Sequence, residues 1–221
     1  MSPIAIALTG AVGVGAAVPA MRWVNSNRWR HEVDEPGRSH LPAWVAVPVL
    51  AIAGAVVGAT LMTGEWWPAG VAAGVLLVGM LMASVTDLAV FRIPEPLVLA
   101  LQGVVVVTLL VGTLVTADFE ALGRALACGV AVWVTMFLYA LLTGGMGFGD
   151  VQLFGAAALA LGWVAWQASI AVVVAGLVVG GVWAIVLWLR GQRGGSFAFA
   201  PSIGVAFVIT VAAIPSLVAG S

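Results

Sequence analysis

VQLFGAAALALGWVAWQASIAVVVAGLVVGGVWAIVLWL, residues 151–189, contains no charged residue. One transmembrane helix needs about 20 apolar residues to cross a hydrocarbon core of roughly 30 Å, so this stretch is too long for a single span. Gly162, Trp163 and Trp166, with Gln167 polar enough for a turn, divide it into a short run at 151–165 and a longer one at 167–189. Further apolar runs lie near 3–22, 41–62, 67–86, 97–116, 121–143 and 200–219. The expected fold is an all-α polytopic membrane protein, a bundle of about eight transmembrane helices. The first run has no basic residue ahead of it and Arg22 just behind it, the reverse of a secretory signal peptide, and is taken as a retained span.

Composition requires the same class. The chain is 63% hydrophobic and 8% charged over 221 residues, with a mean hydropathy of +1.18; it cannot present an ordinary polar surface to water. All eight basic residues are arginines. With the N-terminus outside, the loops at 22–40, 87–96, 144–150 and 190–199 face the cytoplasm and hold every arginine but Arg124. The positive-inside bias therefore favours an N-out, C-out arrangement. Trp23, Trp44, Trp66, Trp67, Trp163, Trp166 and Trp188 fall near expected helix ends, where amphipathic rings prefer to sit, whereas Trp133 and Trp183 fall in mid-span and read as packing residues.

The longest polar segment, residues 22–40, leaves no room for a soluble domain, so residues 1–221 read as a single transmembrane domain with one connector loop. His31 and His40 in that loop have no third ligand nearby, which argues against a metal site. Cys128 is the single cysteine, so neither an intrachain disulfide nor a CxxC motif exists. The many glycines inside helices, as in GAVVGA and GLVVGG, suit close helix packing in lipid.

Two of the nine acidic residues stand apart from the loops and outer helix ends: Asp87 in LMASVTDLAVFRIPEP (81–96) and Asp150 in GGMGFGDVQLFG (144–155). A carboxylate at mid-membrane costs about 2.5–3.5 kcal/mol on insertion scales, so such groups face a cavity or a partner. Asp87 closes the third expected helix and Asp150 opens the sixth. Two crossings separate them, which places both at the same face. Asp150 suits a helix N-terminus on structural grounds alone, but Asp87 meets the negative end of a helix dipole and needs another reason to be there. A phosphate-binding loop is excluded before Asp150, because no Lys-Ser/Thr follows and the aspartate stands where the anion would sit. Gly147 and Gly149 are instead expected to let another backbone approach and to allow a positive φ beside the carboxylate, as a site for an extended peptide requires.

GMGFGD followed by VQLFGAAALALGW resembles the GxGD motif of the type IV prepilin peptidases, membrane aspartic proteases that process pilin-like and pseudopilin-like precursors. Asp87 with Arg92, Ile93 and Pro94 resembles that family's other aspartate and its Ile-Pro turn. FAFAPSIGVAF (197–207) is similar to the Pro-containing start of its last helix. The resemblance covers roughly residues 80–207 and implies an aspartic endopeptidase that removes, from a prepilin or pseudopilin, a short basic cytoplasmic leader that ends in glycine just before a hydrophobic helix. On this basis Asp87 and Asp150 are the expected catalytic pair, and Gly147, Phe148, Gly149 and Pro94 the expected substrate-binding residues. It also implies a multi-pass protein of the bacterial inner membrane with its active site at the cytoplasmic face. Its partners are a precursor substrate and the lipid bilayer, with no nucleic acid, no metal and no cofactor. Gln152 stands where the family commonly has lysine, and Glu95 where asparagine usually follows the turn proline. The N-terminal loop lacks the paired CxxC motifs of bifunctional members, so methyltransferase activity does not carry over. A rival reading from the same carboxylates is a small proton- or cation-coupled transporter using them as a relay. Transport calls for a path of polar residues in mid-helix, and the spans offer little beyond Thr108, Thr135 and Gln167. A structural scaffold, tolerant of asparagine at both positions, is a third.

Overall fold

The computed structural model describes residues 3–26, 29, 41–62, 64–191 and 197–219. Most of the arginine-rich connector, including His31 and His40, lies outside the described residues, as does Arg193. Among the described residues the chain forms eight α-helices: α1 (Pro3–Ser26), α2 (Ala43–Thr60), α3 (Trp67–Val90), α4 (Glu95–Thr116), α5 (Phe119–Thr143), α6 (Phe148–Gly162), α7 (Trp166–Leu189) and α8 (Ala200–Ala219). Each coincides with one of the expected apolar runs. The helices α2, α3, α4, α5, α7 and α8 are each long and apolar enough to cross a membrane. In lipid every backbone polar group must find its partner inside the chain, which a helix alone supplies within one segment.

Local chemistry sets the ends. Asp118 caps α5 by accepting the Ala121 N–H at 2.9 Å, and Glu120 in the first turn complements the helix dipole. The same helix stops at Gly144, whose φ of 63° is the left-handed conformation a helix terminus favours. Pro96 lies in the first turn of α4, where its missing N–H costs nothing. The break between α6 and α7 falls at Trp163–Ala165, with Ala165 extended, just ahead of Gln167.

The axis of the bundle is α6. Every residue from Asp150 to Gly162 is buried, and the helix packs against α3, α4, α5, α7 and α8. The α1–α2 hairpin leans on α3 and forms a smaller core of its own around Ala17, Val24, Leu41, Ala46 and Leu50. The outer faces stay apolar: Leu114 is 78% exposed and Leu142 84%. A water-soluble surface rarely carries contiguous apolar area on this scale, and hydrocarbon is the solvent that fits it. Trp183 belongs to that outer face, 40% exposed, so the expectation of a packing role for it is corrected. Trp133 does pack, stacking on Phe137 with centroids 5.3 Å apart.

At 15 residues, α6 is about 22 Å long, short of a roughly 30 Å hydrocarbon core. Its final carbonyls would stop inside the apolar layer. Arg124, one and a half turns into α5, meets them. Its Nε donates to the Gly162 carbonyl at 2.9 Å, and its guanidinium also reaches the Trp163 and Val164 carbonyls. The one arginine that departed from the charge bias is thus committed to a helix C-terminus, where a cation is favourable.

The glycines of GLVVGG have a more particular use than backbone approach. A Cβ on Gly176 would lie 2.6 Å from the Phe154 ring, and one on Gly180 only 2.2 Å from the ring of Phe199. Two bare positions on α7 therefore make slots for aromatic rings from α6 and from the segment that leads into α8. Those rings lie 6.1 Å apart, and they fix where α8 begins.

Candidate active site

The turn between α3 and α4 is built by its sequence. Helix α3 ends on Phe91 in the left-handed conformation (φ 51°), with its N–H bonded to the Asp87 carbonyl. Prolines at 94 and 96 bias the residues before them toward extended backbone, and Pro94 becomes the N-cap of α4. Across from this turn, Gly147 is the N-cap of α6. Asp150 thereby takes the third helical position, and the Asp150 N–H donates back to the Gly147 carbonyl at 3.1 Å. Its carboxylate turns toward the Gly147 amide, much as the acid of a capping box reaches back to its N-cap.

Asp87 receives its reason from the far end of the chain. Its Oδ2 accepts the N–H of Ala200 at 2.9 Å, and Ala200 is the first residue of α8. The carboxylate set unfavourably at the end of α3 thus acts as a cap for another helix, at the positive end of that helix's dipole. Both carboxylates accordingly stand at helix N-termini, Asp150 at that of α6 and Asp87 at that of α8.

They also share one space. A cavity of about 280 Å³ is lined by Asp87 from α3, by Phe91, Arg92 and Ile93 of the turn, by Val98 from α4, and by Gly147, Phe148, Gly149, Asp150 and Gln152 of the α6 start. Asp87 is 5% exposed and Asp150 7%, and the two are close enough to interact electrostatically. Arg92 and Glu95 are exposed at the rim. Asp150 Oδ1 is buried without a hydrogen-bond partner, whereas Asp87 Oδ2 holds a backbone donor. Two other cavities along the bundle, of about 240 Å³ over the α5–α6 face and about 290 Å³ among α1, α2 and α3, carry no ionisable side chain.

The glycines act partly as expected. Gly147 has φ −71°, and positive φ is found at Gly144 rather than at Gly147 or Gly149; the left-handed turn is spent on ending α5, so that α6 can begin with ordinary dihedrals. What the two glycines supply is room for side chains rather than the expected approach of another backbone. A Cβ on Gly149 would lie 2.9 Å from Ile93 Cβ, and one on Gly147 would press within 3.3 Å of Asp150 Oδ2. Phe148 is 50% exposed and meets Trp133 and Phe137 edge to face. Pro94 is half-buried beside the cavity and shapes the turn, leaving the wall to its neighbour Ile93.

A family model described as the type IV leader peptidase family matches residues 74–185. The chain belongs to the type IV leader peptidase family. The matched region runs from mid-α3 to late α7, so both aspartates of this leader-peptidase-like protease and the Gly147–Gly149 wall lie inside it, while Ala200 lies beyond it. Comparison with curated proteins and with solved structures gives no match.

Three parts of the site carry no direct signal in the sequence: the Ala200 amide, Ile93 as the residue facing Gly149, and Gln152 as part of the cavity wall. The FAFAP segment reads from sequence only as the start of a helix. Its signal for the Asp87 contact was a helix start with no polar capping residue of its own.

Proposed function

We propose that the chain is an aspartic endopeptidase that removes the short cytoplasmic leader from prepilin-like or pseudopilin precursors. The observation that carries this reading is the placement of Asp87 and Asp150, distant in sequence, in the wall of one cavity at one end of the bundle. Two carboxylates drawn together around a bound substrate cannot easily both ionise; such a pair holds one proton and titrates as a unit. The ionised member takes a proton from a water that attacks the scissile carbonyl. The protonated member polarises that carbonyl and then protonates the leaving amine. No covalent intermediate forms.

The accompanying topology is eight spans with both termini outside, residues 1–221 forming one transmembrane peptidase domain in a bacterial inner membrane. Exposed Arg92 and Arg190 lie at the same end as the two carboxylates, and Glu65, Asp118 and Glu120 at the other. With Arg124 bonded internally to α6, the charge bias loses its exception and supports a cytoplasmic site. A leader that ends just before a hydrophobic helix brings its scissile bond to that face. Gly147, Phe148 and Gly149 then form the floor beneath an unwound peptide, and Pro94 holds the turn opposite.

The test is coexpression with a candidate prepilin, comparing the wild-type protein with Asp87→Asn and Asp150→Asn. The reading expects leader removal by the wild type alone; removal surviving either substitution rejects the pair. Proton-coupled uptake in proteoliposomes with no precursor cleaved would select the transporter instead.

A further inference from the structure

Within the cavity the buried polar side chains are Asp87, Asp150 and Gln152. The rest of its deep wall is apolar, built from Ile93, Val98 and the glycines, while Arg92 and Glu95 stand at the exposed rim. Gln152 is 5% exposed, and its Oε1 is buried with no hydrogen-bond partner. A native fold seldom leaves such an acceptor unsatisfied without a use for it. Its backbone is held in place from α4, where Gln102 Nε2 donates to the Gln152 carbonyl at 3.2 Å. The side chain keeps one soft degree of freedom, because the terminal torsion of a glutamine is broad, and a rotation there presents the amide to the cavity.

An extended peptide entering this space brings backbone N–H groups that lose their water and need acceptors. The aspartates are engaged with the attacking water and the scissile carbonyl. Gln152 is the buried acceptor that remains. We propose that Gln152 is a substrate-binding residue of this site, its Oε1 accepting one backbone N–H of the extended peptide beside the scissile bond. This rests on the peptidase reading above.

The test uses the full chain in nanodiscs and a synthetic peptide with a short basic leader ending in glycine, followed by a hydrophobic segment. Gln152→Met keeps length and bulk and removes the acceptor. Loss of one neutral hydrogen bond to substrate predicts a three- to tenfold fall in kcat/KM, on the order of what such a bond contributes, with a melting temperature equal to or above wild type, since no internal partner is lost. A second set of peptides replaces single N–H groups by ester oxygens on either side of the scissile bond but not at it. One ester should slow the wild type by a similar factor and have no further effect on Gln152→Met. Cleavage by Gln152→Met within twofold of wild type overturns the proposal, as does an equal ester effect in both proteins. Loss of the fold in Gln152→Met also overturns it, because the amide would then be a packing element. A wild type that leaves the unmodified peptide intact refutes the peptidase reading itself, a result distinct from these.

Discussion

Replacing Arg124 with methionine should destabilise the protein without touching its chemistry. Methionine preserves most of the aliphatic reach of arginine and removes all of its donors. The carbonyls of Gly162, Trp163 and Val164 then lose their common partner, at a helix end where Trp163 is 2% exposed and Val164 8%. Hydrogen bonds to charged groups contribute about 1.5–3 kcal/mol each. The contact to Val164, at 3.4 Å, adds little, so two bonds at the low end of that range give a loss of about 3 kcal/mol. For a chain of this size that corresponds to a fall in Tm on the order of 6–12 °C. Lysine, with a single ammonium in place of a fork, should recover about half of it. Thermal unfolding in detergent, followed by tryptophan fluorescence, reads the change, and leader cleavage well below the transition should match wild type because the site lies at the opposite end of α6. A methionine variant melting within ~2 °C of wild type would refute the claim that Arg124 terminates α6.

Asp87 has a structural duty that asparagine can keep and alanine cannot. Asp87→Asn retains an oxygen for the Ala200 N–H and should melt near wild type, whereas Asp87→Ala removes a helix cap and should cost about 0.5–2 kcal/mol; equal melting of the two variants in detergent would show that the α8 contact is energetically idle. Gly149→Ala drives a methyl group to 2.9 Å from Ile93 Cβ, and overpacking of this kind costs typically 1–3 kcal/mol. Cleavage should fall with it as the turn moves off Asp150, and Ile93→Val in the same chain should return part of both losses; an unaffected rate in Gly149→Ala would remove the close-approach role of that glycine.

The helices were legible because lipid makes helix the sole local solution for long apolar runs, and prolines, Asp118 and Gly144 mark their ends in the sequence itself. Parity was legible for the same reason: counting crossings between Asp87 and Asp150 needs no knowledge of packing. What escaped were contacts that depend on how helices are laid side by side. Asp87 finds Ala200 across 113 positions, and no local pattern announces a backbone amide as a partner. Arg124 looked like an exception to the charge bias until the length of α6 showed what it reaches. The glycines of GGMGFGD (144–150) were legible as a place needing little bulk, yet sequence cannot separate a need for positive φ from a need for space. Gly144 took the first and Gly149 the second. Trp183 escapes placement from sequence because a tryptophan in mid-helix has the same composition signal whether it faces a neighbour or lipid.

The central claim is that Asp87 and Asp150 act as one unit, and the rates of Asp87→Asn, Asp150→Asn and the double variant on a single prepilin-like peptide test it most directly. Residues that act together are strongly non-additive, so each single change should abolish measurable leader removal and the double should lose nothing more. Appreciable cleavage by either single variant, with a further drop in the double, would contradict a shared site.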